Sequence, residues 1–181
     1  TGFTSSTTGG TDSSPPTPAD SIKDEAFAWD SMLGAKLISS SDIQYSIPRR
    51  NWANSTIYDM YEHDISASNT TTSGASNLYD STFYFMTSDF RVYKVLDNNG
   101  GTAYDGAEPT SESNSPFTLG GYILKYMYTI STSDFAKYGT SDFIPVTTNS
   151  TVSGAATDGS IESLIVTGGS GYTDGTYYAA V

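Results

Sequence analysis

Three groups of residues in this 181-residue chain have the types and spacing to do chemistry. The first surrounds the single histidine, His63, in the segment YDMYEHDIS (58–66), where Asp59, Glu62 and Asp64 are its neighbours. Imidazole and carboxylates together can hold a divalent cation. In an extended segment, however, Glu62 and Asp64 share one face and His63 takes the other, which disperses the ligands. The favoured reading is a plain surface segment, with no metal and no cofactor. The second group is the set of hydrolase residues. Serines are abundant, but none sits in a G-x-S-x-G elbow, and a glycosidase requires two carboxylates facing each other across a cleft, which a mere abundance of acids does not supply. No catalytic residue is assigned.

The third group is IPRRNW (47–52). The chain has 8 Lys plus Arg against 20 Asp plus Glu, yet two of its three arginines stand side by side here. Extended geometry sends Arg49 and Arg50 to opposite faces. Arg50 then shares a face with Trp52, and stacking on the indole contributes about 0.5–2 kcal/mol depending on solvation. Arg49 shares its face with Ile47 and Asn51, and needs an acid or a carbonyl if it is buried. Two roles follow: a structural corner in which an arginine ties strands together, which is the commoner reason for Arg beside Trp, or a contact with a partner.

The elements that must position these residues are mostly strands. Aromatics make up 13% of the chain, including 14 Tyr and 8 Phe, so the core is expected to be aromatic and half-polar. Ser, Thr, Gly, Asn and Asp dominate the rest, which suits turns and solvated strand faces. The expected fold is mainly β, with β-sandwich-like antiparallel sheets and one or two short helices. A net charge of −12 disfavours nucleic acid, which needs clustered Lys and Arg. No apolar run approaches the ~20 residues needed to span a bilayer. With no cysteine there is no disulfide and no thiolate chemistry.

Along the chain, 1–19 reads as an extended or mobile Pro/Ser/Thr-rich arm. From Asp20, DSIKDEAFAWDSML predicts a helix capped by Asp20 or Ser21, with Ile22, Ala26, Trp29 and Leu33 on one face and Gly34 at the stop position. Residues 66–80 form a polar loop. FYFMTSDFRVYKVLDNNGG predicts two strands around a Thr87-Ser88-Asp89 turn, closed by the turn at 97–101. In GGYILKYMYTIS, strict alternation places Tyr122, Leu124, Tyr126 and Tyr128 on one face and Ile123, Lys125, Met127 and Thr129 on the other. Such a strand is expected to be central in a sandwich or covered by another subunit. TSDFAKYGTSDFIPV predicts a helical turn capped by Ser133 or Asp134, then an extended run into Pro145. A linker-like stretch follows Val146, with a boundary near 150. Residues 151–181 read as the start of a Gly-rich β module, and the chain as a piece of something longer.

IPRRNW, preceded by PPTPADS (15–21) and the helix with Trp29 and Met32, and followed by FRVYKVLDNNGG (90–101), SPFTLGGYILKYMYTIS (115–131) and DFIPV (142–146), resembles the baseplate wedge protein of T4-like contractile-tailed phages, in its marine cyanophage form. The resemblance implies a mostly β virion structural protein, not an enzyme. It implies a subunit of the tail baseplate, assembled in the host cytoplasm, that pairs with a second copy, contacts other baseplate wedge proteins and helps relay host attachment to sheath contraction. No small-molecule substrate is implied. Pro48, Arg49, Arg50, Trp52, Tyr122, Tyr126 and Tyr128 are the candidate structural or interface residues. The alternative is a carbohydrate-binding β module of a secreted or tail-borne protein, in which exposed Tyr and Trp stack on sugar rings. Exposed coplanar aromatics in a groove favour that alternative; aromatics buried between sheets count against it.

Overall fold

In the computed structural model, which describes residues 21–30, 32–157, 170, 171 and 173, the aromatic period-two segments form strands. They are β1 (Ser46–Pro48), β2 (Tyr84–Met86), β3 (Arg91–Asp97), β4 (Phe117–Leu119), β5 (Tyr122–Thr129) and β6 (Phe143–Pro145). β2, β3, β5 and β4 stand in that order in one antiparallel sheet, while β1 and β6 pair in a separate antiparallel ribbon. The helices are short: α1 (Ile22–Asp30), α2 (Thr132–Tyr138) and α3 (Ser150–Ala155). This is the mainly β fold with few short helices that the composition predicts.

Both faces of the larger sheet are covered. Phe85 of β2, Tyr93 and Val95 of β3, and Tyr122 and Leu124 of β5 pack on one face beneath Tyr58 and Tyr104 from the connecting segments. Their strand neighbours Tyr84, Met86 and Val92 point the other way, as alternation requires, and meet Ile130, Ile144 and half-buried Ile47, Phe90 and Phe135. The β1–β6 ribbon and α2 therefore cover the second face.

The alternation predicted for β5 holds only for its first half. Val92 pairs with Tyr128 while the adjacent Tyr93 pairs with Tyr126, so Met127 is one residue more than β3 has to match. A bulge of this kind flips everything beyond it to the opposite face. Tyr122, Leu124 and Tyr126 pack against the first core, but Tyr128 packs in the second, its hydroxyl donating to the Pro145 carbonyl at 3.2 Å. The three tyrosines expected on one face are thus divided between two.

β5 also begins with a hairpin that the sequence reading did not include. Leu119 pairs with Tyr122 across Gly120 and Gly121, whose φ values are 57° and 81°. Two consecutive left-handed residues make the mirror-image turn that matches strand twist, and glycine adopts it without a Cβ clash. A Cβ at Gly120 would lie 2.9 Å from the Asp105 carbonyl oxygen. α2 starts earlier than expected because Ser131 caps it, accepting from the Asp134 amide at 3.0 Å. Its Phe135 ring lies 4.5 Å from that of Phe90.

α1 forms where the apolar spacing predicts it, yet Ile22 is 88% and Trp29 67% exposed, and Leu33 lies past its end. The chain divides into two units between Thr147 and Thr148. In the second unit α3 occupies part of the stretch read as a linker, started by Asn149, whose side-chain oxygen accepts from the Thr151 and Val152 amides at 3.0 and 3.2 Å. The predicted 1–19 arm lies outside the described residues, as does the predicted Gly-rich module of 151–181 apart from 151–157, Ser170, Gly171 and Thr173.

Candidate functional site

Residues 47–52 form the corner that joins the two sheets. Ile47 pairs with Ile144 and Pro48 with Phe143, and the Arg49 amide continues the ribbon by donating to the Asp142 carbonyl at 2.7 Å. The chain then crosses to the edge of β2. The Met86 amide donates to the Arg50 carbonyl at 2.7 Å, and the Trp52 amide to the Met86 carbonyl at 2.8 Å. Pro48, with no N–H to give, sits where the ladder changes sheets. Its carbonyl accepts from the Tyr84 hydroxyl at 2.6 Å.

The two arginines do point apart. Arg50 donates through Nη2 to the Tyr79 carbonyl at 2.8 Å, and its guanidinium carbon lies 5.7 Å from the centre of the Tyr84 ring. The Trp52 indole, offered by the sequence as its stacking surface, instead meets Tyr104 edge-on at 6.3 Å. The physical reason is the bridge to Met86, which lays Arg50 along β2, where Tyr84 is the nearest ring on the same side. Arg49 donates to Asn51 Oδ1 at 3.0 Å and to the Thr140 carbonyl at 3.1 Å, and stacks 5.2 Å over Phe135. Carbonyls and rings, not acids, meet both side chains, while Arg50 Nε and Trp52 Nε1 are buried without a hydrogen-bond partner among the described residues. Arg50 thereby ties in the end of the 66–80 loop, and Arg49 the turn between α2 and β6.

Arg49 also lines a cavity of about 350 Å³ with Trp52, Met86, Phe90 and Glu108. Glu108 is already occupied by the Ser88 amide and hydroxyl. Arg50→Ala and Arg49→Ala are each expected to lower unfolding stability by about 2 kcal/mol, since each removes a charged hydrogen bond to a carbonyl and a cation–ring contact. Chemical denaturation checks this, and a variant whose midpoint did not move would release that arginine from its role in the fold.

The His63 cluster does not converge. His63 is exposed, while Asp59 is fully buried and turned toward the loop, accepting from the Ser73 amide and hydroxyl at 2.7 Å each, the Thr82 amide at 2.8 Å and the Ser81 hydroxyl at 3.1 Å. Among the described residues, no group of three or more His, Asp or Glu is placed to hold a metal ion. Sequence reasoning names Asp59 as a neighbour of His63 and misses its role as the acceptor that orders the loop. The signal was present, a carboxylate ahead of a long Ser/Thr-rich loop that would need an acceptor to order it.

Tyr122, Tyr126 and Tyr128 lie on β5, with Tyr122 fully buried against Tyr58 and Tyr104. No described helix is long and apolar enough to cross a membrane. Compared with known families, the chain matches the model described as Phage-Gp8, Bacteriophage T4 Gp8, over residues 4–113. The matched residues hold the corner, β2 and β3, and the hydrogen-bonded partner strand β5 lies beyond them. No curated protein and no solved structure matches the chain.

Proposed function

The chain belongs to the bacteriophage T4 Gp8 family, whose model spans more than half of it, and from that premise we propose that it is a wedge subunit, not an enzyme, that works by associating with other wedge proteins and with a second copy of itself. Membership carries a structural role in the baseplate of the phage tail. The finer reading is ours. Residues 20–150 are the wedge domain, 151–181 begin a further module, and the subunit, of the marine cyanophage type and assembled in the host cytoplasm, helps relay host attachment to sheath contraction.

The observation that carries the reading is the family match through the corner and the first two strands of the larger sheet. The corner residues Pro48, Arg49, Arg50 and Trp52, with Tyr122, Tyr126 and Tyr128, then act as architecture, holding two sheets in a fixed relation. A carbohydrate-binding module is disfavoured by the aromatics themselves. Tyr58, Phe85, Tyr93, Tyr104 and Tyr122 are buried and packed against one another, largely edge to face, so they offer no platform for a sugar ring.

Co-expression with the other wedge subunits of the same phage tests the assignment. The chain is expected to purify in one complex with at least one of them by size exclusion and to occupy a fixed position in its electron micrographs. A chain that remained separate from every wedge subunit while binding glycans would overturn it.

A further inference from the structure

Eight large apolar residues between Ile22 and Tyr45 stand in solvent. On α1 they are Ile22, Phe27 (51% exposed) and Trp29; beyond it, Leu33 and Leu37 are 90% and 95% exposed, and Ile38, Ile43 and Tyr45 follow at 64%, 64% and 76%. The root of this limb is tied down. Ser41 accepts from Lys137 Nζ at 2.6 Å and from the Tyr138 hydroxyl at 2.5 Å. Gln44 donates to the Val146 carbonyl at 2.7 Å, and Val146 donates back to the Tyr45 carbonyl at 2.8 Å. The limb is therefore anchored at its root, over 41–45, and its apolar side chains are left uncovered by the fold.

At roughly 150 Å² for each large side chain, the exposed part of these residues amounts to on the order of 1,000 Å², against the ~800 Å² per partner of a standard specific interface. Patches of this size on a soluble protein are covered by another molecule. The spacing and charge of α1 indicate which one. Ile22, Ala26 and Trp29 follow the four-then-three step of a helix–helix seam, with a small residue at its centre where two helices can approach closely. Lys23 and Asp30 flank that seam seven residues apart, and neither has an ion-pair partner among the described residues. In two antiparallel α1 helices related by a two-fold axis near Ala26, Lys23 of each copy comes beside Asp30 of the other. The Lys23–Asp30 flank is complementary to itself, which is the requirement of a two-fold interface, and Glu25 on the opposite flank faces its own copy at the solvent edge of the seam.

We propose that α1 and the apolar residues that follow it are the surface on which a second copy of this chain docks, through antiparallel pairing of the two α1 helices. The proposal rests on the dimer in the proposed function and says where that dimer forms. Sedimentation velocity on the full chain from about 1 to 200 μM, combined with light scattering, reads the association. The parent is expected to dimerise. Ile22→Ala with Trp29→Ala is expected to weaken dimerisation by about tenfold or more, with the circular-dichroism spectrum of the monomer unchanged because both side chains are exposed. Lys23→Asp and Asp30→Lys should each weaken it, and the two together should restore it, which only a Lys23–Asp30 contact between copies accounts for. A dimer indifferent to all four variants would overturn the assignment of the surface while leaving the dimer itself standing. A parent that stayed monomeric to the highest concentration would overturn both, and one that used this limb only to bind a different wedge subunit would overturn the assignment of the surface.

Discussion

Tyr122→Phe is expected to lower the unfolding free energy by about 1–3 kcal/mol, and Tyr122→Ala by about 3–5 kcal/mol, the largest losses of any single change to the first core. Tyr122 has no exposed surface, and its ring lies 5.2 Å from that of Tyr104 and 6.3 Å from that of Tyr58. Its hydroxyl donates to the Thr102 carbonyl at 2.6 Å and accepts from the Tyr58 amide at 3.3 Å. One side chain thus joins β5 to two segments that have no strand of their own to hold them. The phenylalanine variant keeps the volume and strands a buried amide and a carbonyl; the alanine variant adds a cavity between three aromatic rings. Against a typical domain stability of about 5–15 kcal/mol, the alanine variant loses from about a fifth of the total to all of it. Urea titration separates the two, and the midpoint is expected to fall with an unchanged slope. A phenylalanine variant as stable as the parent would show that the hydroxyl contributes nothing to holding these segments.

The same burial sets the alkaline limit of the fold. Desolvation pushes the Tyr122 phenol above its ordinary value, and Tyr93 and Tyr104 up to about 12. A group whose folded pKa is raised contributes stability that is complete below the unfolded value and lost as pH rises through the folded one. The buried phenols therefore remain donors at neutral pH, and stability is expected to decline from about pH 10 upward, where the unfolded chain begins to ionise.

The strand at β3 and the aromatic alternation of the first half of β5 could be read from the sequence because propensity and the period-two pattern are local. The Met127 bulge was not legible, since YILKYMYT is a perfect alternation and only pairing with β3 shows that it carries one residue too many. That single insertion decides which core Tyr128 enters. The stacking partner of Arg50 differs from the expected Trp52 for a similar reason. Trp52 is near in sequence, but the bridge to Met86 brings Tyr84 near in space. The Gly-Gly hairpin before β5, in contrast, is legible in FTLGGYIL. α1 could be read from its spacing, while nothing in one chain indicates what covers it. Local signals gave elements; register and cross-chain contacts lie outside what a single sequence displays.

Asp59→Asn is expected to destabilise by about 2–4 kcal/mol at neutral pH, the range for breaking a buried charge-assisted network. Burial by itself pushes the Asp59 carboxyl up, but the hydrogen bonds from Ser73 and Thr82 more than offset it and hold the group below its ordinary value. The four donors come from three residues of the 66–82 region, so the carboxylate is what orders a polar loop with no apolar face to bury. An amide keeps one acceptor oxygen and turns an NH₂ toward donors, leaving at least one of the Ser73 and Thr82 amides unpaired. The pH dependence distinguishes this from loss of shape alone. With a depressed folded pKa, the carboxylate's contribution is complete above the unfolded value near 3.9 and is lost as pH falls through the folded one. Parent and variant should therefore differ fully at pH 7 and converge below about pH 4, where the parent's Asp59 takes up a proton and gives up its own advantage. Amide exchange at Ser73 and Thr82 should accelerate in the variant at pH 7 ahead of exchange in β3 and β5, because the loop is released before the sheet. A stability gap that persisted unchanged into acid would place the cost in packing and remove the carboxylate charge from the account.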